Sequence, residues 1–142
     1  LYANSVNFGF DPLRFLGELP LERVRTIHIA GGRWITSQDG RSQYLLDDHL
    51  HAVTGPVYEL LAEVAARVTQ PLTVILERDG RYPEMPLLLT ELEKARQALK
   101  IGRQRAIEQE VVKQEVHDRA AECREISGPA LRGCAAQGAI PA

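Results

Sequence analysis

Four side chains in this sequence have the types and spacing of metal ligands. His28 lies in an apolar, β-branched run, just before Gly31-Gly32. The segment Asp47-Asp48-His49-Leu50-His51 alternates carboxylate and imidazole. On an extended backbone Asp47, His49 and His51 would all point to one side. Glu77 follows directly on the apolar run Leu72 to Leu76, and a carboxylate at the end of a buried strand is unfavourable unless paired or metal-bound. Imidazole together with carboxylate suits iron, manganese or zinc rather than calcium.

Each place also has a plainer reading. A histidine among apolar residues is commonly structural, a D-x-H-x-H run can be a solvated polar loop, and Glu77 could pair with an arginine at the rim of a sheet. The three places nonetheless fall at corresponding ends of expected strands. In parallel α/β folds that end carries the active site, so together they point to a metal.

The elements that must position these groups are legible in outline. Leu1 to Pro12, rich in Asn, Gly and Phe, reads as a loop after an upstream strand. Asp11 reads as the N-cap of a short helix that begins at Pro12 and is stopped by Pro20. Val24 to Ala30 reads as a strand, and Gly31 to Thr54, with little periodicity, as a long loop of the kind that is functional or disordered. Gly55-Pro56 opens a helix with Val57, Leu60, Leu61, Val64 and Val68 on one face. Leu72 to Leu76 reads as a strand buried on both faces, and Leu88, Leu92, Ala95 and Leu99 mark a further amphipathic helix.

Strands alternating with helices imply βα units on a parallel sheet. About two whole strands cannot close a barrel, and the chain lacks an initiating Met, so it is expected to begin within a longer protein. After Lys100 the sequence turns Gln-, Glu- and Arg-rich, reading as a solvated helix, and residues 127–142 read as a disordered tail.

Composition excludes several function classes. A formal net charge of −2 gives no basic patch for nucleic acid. No apolar run approaches the roughly 20 residues that span a membrane, and the N-terminus has no signal-peptide pattern. Cys123 and Cys134 lack metal-site spacing and read as reduced thiols of a cytoplasmic protein. There is no phosphate-binding glycine loop and no nucleophile elbow.

The segments NSVNFGFDP, ELPLERVRTIHIAGG, LLDDHLHAV and PLTVILERDGRYP, in this order and at these intervals, closely resemble one family. It is the multinuclear non-haem iron-dependent oxidative enzymes, formerly uncharacterised bacterial proteins with a xylose isomerase-like TIM-barrel fold. The family includes the iron enzyme of methanobactin biosynthesis. The resemblance covers Leu1 to about Leu99 and implies a barrel holding two or three irons at its C-terminal face. It implies O2-dependent oxidation of cysteines in a ribosomally made precursor peptide, often with a partner protein that recognises the peptide. It further implies that His28, Asp47, His49 and Glu77 ligate iron, and that His51, Arg78, Asp79 and Asn7 support the ligands from behind. Two departures stand out. Phe8 occupies a position where the family has His, and the family's other ligands lie on strands upstream of Leu1.

The expected fold is α/β: the C-terminal portion of a (β/α)8 TIM barrel, about its last two βα units, plus a long C-terminal helical extension. Residues 1–99 would form the barrel part, 100–126 the helical extension and 127–142 the tail. The expected function is a part of an iron-dependent oxidative peptide-modifying enzyme, inactive alone. The alternatives are a non-catalytic half-barrel that binds or dimerises through its open edges, and a sugar isomerase-like or endonuclease-like divalent-metal barrel.

Overall fold

The computed structural model describes residues 1–126, with side chains as far as residue 121. The expected tail at 127–142 and the state of the two cysteines lie outside these described residues and side chains. The chain divides into a unit of residues Leu1–Ile107 and a second beginning at Glu108, whose described residues are helical.

Helix α1 spans Tyr2–Phe8 and α2 spans Pro12–Gly17. A single 3-10 turn at Leu21–Arg23 leads into strand β1, Thr26–Ile29. Strands β2, Arg33–Thr36, and β3, Gln43–Leu46, precede helix α3, Gly55–Arg67. Strand β4, Thr73–Leu76, and helix α4, Met85–Ile126, complete the described elements.

The expected parallel pairing is present. β1 and β4 run side by side with Thr26 opposite Thr73 and Ile29 opposite Leu76. The ladder continues at both ends, where Thr73 N–H donates to Arg25 O at 2.8 Å and Glu77 N–H donates to Ile29 O at 2.9 Å. Alternation then sets the faces. Ile27, Ile29, Val74 and Leu76 pack with Val53, Leu61, Ala62, Ala95 and Ala98 in the core between the sheet and the two long helices. His28 and Ile75, opposite one another in the ladder, take the other face.

The expectation that β4 is buried on both faces is therefore corrected. Ile75 is 40% exposed, so the second face of this two-stranded sheet is open to solvent at that position.

Two further expectations change. Leu1 to Pro12 is not a loop. Helix α1 forms there and ends at Gly9, whose φ of 66° supplies the left-handed cap. Its Asn7 side chain donates to Leu45 O at 2.8 Å and accepts the Leu45 N–H at 2.7 Å, pinning α1 to β3. The long loop from Gly31 to Thr54 contains an antiparallel hairpin, with Trp34 opposite Leu45. Its turn is built by Ser37 and Asp39, with Gly40 at φ 69°. The Ser37 hydroxyl bond holds the Asp39 carboxyl below its usual range.

Other readings match the structure. Asp11 caps α2 by accepting the Leu13 N–H at 2.8 Å. Helix α3 begins at Gly55, and its buried face is Leu61, Ala62, Val64 and Ala65. Among the described residues no helix is long and apolar enough to cross a membrane.

Candidate functional site

Three chain segments meet at the C-terminal ends of β1 and β4. His28 is delivered by β1 on the face away from the core. Glu77 is the first residue after β4, fixed by its N–H bond to Ile29 O. Asp47 and His49 come from the loop leaving β3.

That loop is held by its backbone. His49 N–H donates to Gly31 O at 3.1 Å, and His49 O accepts from Asp79 N–H at 3.0 Å, so the residue is strung between the two strand ends. Its φ is +55°, a left-handed conformation that disfavours a non-glycine residue by roughly 1–2 kcal/mol. Strained backbone held by surrounding bonds is common at functional sites. Gly31 makes the close approach possible. A Cβ there would run into the backbone oxygens of His51 and Ala52.

The side chains converge pairwise. Glu77 Oε1 pairs with His28 Nδ1. Glu77 Oε2 lies 3.3 Å from His49 Nδ1, which is also 3.3 Å from Asp79 Oδ2. His49 Nε2 is 3.5 Å from Asp47 Oδ1. His28, Asp47, His49 and Glu77 line one cleft of about 240 Å3, walled on its apolar side by Ile29, Leu45 and Val57.

The donor set suits a transition-metal cation. Three carboxylates face two imidazoles, so the cluster keeps negative charge even with both rings protonated. A cation would compensate it. The described side chains are not poised as finished ligands, however. Among them no group of three or more His, Cys, Asp or Glu is spaced to hold a metal ion. They satisfy one another through carboxylate–imidazole pairs instead.

Of the residues expected to support the ligands, Asp79 reaches the cluster through His49. Asn7 does not, being engaged with the Leu45 backbone. His51 is also turned elsewhere. The positive φ at His49 breaks the extended path that would have aligned Asp47, His49 and His51. His51 Nδ1 instead pairs with Asp48 Oδ1 at 2.9 Å. That bond, with the Leu50 N–H and the charges of His51 and Arg33, lowers the Asp48 carboxyl below its ordinary pKa despite some burial. Arg33 Nε sits 3.2 Å from Asp48 Oδ2.

Arg78 does not pair with Glu77. It forms a buried ion pair with Glu91 at 2.8 Å. Glu91 was not singled out from sequence, although Leu88, Glu91, Leu92 and Ala95 share helical spacing that puts a carboxylate on the apolar face.

Comparison with known proteins bears on what this cleft does. A family profile described as RiPP precursor modification enzyme MbnB/TglH/ChrH matches residues 1–100. A UPF0276 protein of Streptomyces avermitilis is 42% identical over 106 residues, covering 75% of this chain and 20% of the relative. A UPF0276 protein of Bordetella bronchiseptica is 36% identical over 102 residues, covering 72% of this chain and 35% of the relative. One of Shewanella amazonensis is 33% identical over 96 residues, covering 68% and 32%. The chain thus spans about a fifth to a third of the length of these relatives.

Proposed function

The chain belongs to the RiPP precursor modification enzyme family MbnB/TglH/ChrH, and we propose on that premise that its cleft is one wall of an iron site at the C-terminal end of a TIM barrel. In a family-length protein this site would oxidise cysteines of a ribosomally made precursor peptide with O2, aided by a peptide-recognising partner protein. The observation that carries the reading is the convergence of His28, Asp47, His49 and Glu77, from three separate segments, on a single cleft at strand C-termini.

His28, Asp47, His49 and Glu77 would hold the metal. Bound there, iron would supply Lewis acidity and a redox partner for O2. The chain's own groups do the positioning. Glu77 stands between the two rings and orients both, and Asp79 holds His49 Nδ1. Ile29, Leu45 and Val57 border the same cleft and would offer an apolar contact to a thiol-bearing side chain.

Metal analysis of a family-length protein carrying these residues tests the proposal. Iron should be bound in stoichiometric amount and lost in His28→Ala and Glu77→Ala. Retention of magnesium or manganese in place of iron would instead favour a sugar isomerase-like or endonuclease-like metal barrel.

One observation favours a second reading, a binding or dimerising module. An apolar groove of about 250 Å3 runs along β1, lined by Leu16, Leu21, Val24, Ile27, Leu60 and Val64. Among the described residues neither β1 nor β4 has a second strand neighbour, and open edges favour association. Sedimentation of the chain distinguishes the two, since a monomer at high concentration removes this reading.

A further inference from the structure

The loop that carries Asp47 and His49 is gripped from behind by two residues that do not line the cleft. Glu91 of α4 is 6% exposed. Its Oε1 accepts the Val53 N–H at 2.9 Å, and its Oε2 accepts from an Arg78 terminal nitrogen at 2.8 Å. The other terminal nitrogen of Arg78 donates to Leu50 O at 3.2 Å. Arg78 follows Glu77 directly in the chain. One buried pair therefore ties two points of the loop, Leu50 and Val53, to the end of β4 and to α4. Tyr58 O–H, donating to Glu91 O at 3.2 Å, braces the same turn of helix from α3.

We propose that Arg78 and Glu91 are positioning residues, a buried clip that sets where Asp47 and His49 stand relative to His28 and Glu77. The proposal rests on the metal-site reading above. Stability alone does not account for the pair. Removing two charges from water is unfavourable, and apolar residues of similar volume often serve a core as well or better. The guanidinium is not even fully satisfied, since its buried Nε has no hydrogen-bond partner among the described residues. Its two terminal nitrogens serve the Leu50 carbonyl and Glu91, which are the contacts that fix the loop. A strained His49 needs such support, because its backbone would relax toward ordinary φ if the loop were released. Site geometry held by packed neighbours and hydrogen bonds is the general requirement for ligand preorganisation.

The test uses the 142-residue chain without metal first. In Arg78→Met/Glu91→Leu the loop loses both ties while the buried volume is kept. Amide hydrogen exchange should show the His49 and Asp79 N–H groups losing protection by about tenfold or more, while Thr73 in the ladder and the α3 amides keep theirs. Uniform loss across the unit, or no change at His49 and Asp79, would overturn the proposal by making the pair a stability element. Arg78→Lys keeps a cation opposite Glu91, and with it the Glu91 bond to Val53 N–H, but loses the fork that also reaches Leu50 O, and should show a smaller loss confined to the same two amides. It carries the same test should the double variant not fold. A second arm adds Fe(II) alone under anaerobic conditions. Its affinity should fall about 10–100-fold in the double variant and largely recover in Arg78→Lys. Equal Fe(II) affinity in the double variant and the unaltered chain would overturn the link to the metal site. If the unaltered chain, as one wall of that site, takes up none, the exchange arm decides the positioning claim and the family-length protein decides the metal reading.

Discussion

His49 and Glu77 meet at 3.3 Å, Nδ1 to Oε2, although one comes from the loop after β3 and the other from the end of β4. The meeting depends on a left-handed backbone at His49, whose φ is +55°. This conformation inverts the usual stability order of substitutions. His49→Gly should unfold at higher denaturant than His49→Ala by about 1 kcal/mol, because only glycine occupies that φ without a Cβ clash. Paired urea titrations check it. An alanine variant at least as stable as the glycine variant would mean that the backbone is not held this way.

Gly31 is the second backbone requirement of the site. A Cβ at this position would meet the His51 and Ala52 carbonyl oxygens, which are main chain and cannot rotate away. Gly31→Ala should therefore lose about 1–3 kcal/mol or more. It should also disturb the His49 N–H bond to Gly31 O, visible as lost amide protection at His49.

At Gly102 two effects oppose one another. Alanine is favoured over glycine inside a helix by about 1 kcal/mol. A Cβ at Gly102 would, however, press into the Ala62 carbonyl and the Ala65 methyl, where α4 crosses α3 closely. Overpacking of this kind costs about 1–3 kcal/mol, so Gly102→Ala should destabilise the chain. Thermal unfolding decides it, and a raised Tm would show that propensity outweighs the contact.

Tyr58 gives a pH signature. Burial, then the Glu91 charge, pushes its phenol from 10.0 up to about 12. The neutral form is thus favoured in the folded chain. The corresponding stability is complete below pH 10 and drains away as pH rises from 10 toward about 12. Urea midpoints should fall across that window, and Tyr58→Phe should flatten the fall. A phenolate absorbance that appears near pH 10 for Tyr58 would contradict its burial.

Much of the site could be read from residue order, and particular residues show why the rest could not. His28 and Glu77 were legible because a short β-branched or apolar run fixes which residue ends a strand. Helix α3 was legible from its periodic Leu61 and Val64 and its Gly55-Pro56 start. The hairpin was not, because each of its strands is four residues long and Trp34 and Tyr44 remain exposed. The Asp39-Gly40 pair was its one local signal. Helix α1 has no side-chain N-cap and no acidic first turn, and the double bond between Asn7 and Leu45 is a tertiary contact that no local pattern announces. The placement of His51 against Asp48 follows from the single positive φ at His49, a backbone state that alternation of residue types does not encode.

The central claim is that His28, Asp47, His49 and Glu77 form one metal-binding wall. The most direct measurement is an anaerobic Fe(II) titration of the chain followed by amide NMR. Paramagnetic broadening should begin at His28, Asp47, His49 and Glu77 and disappear in His49→Gly with Glu77→Gln. Broadening that is absent up to millimolar Fe(II), or that survives in the double variant, would contradict the claim.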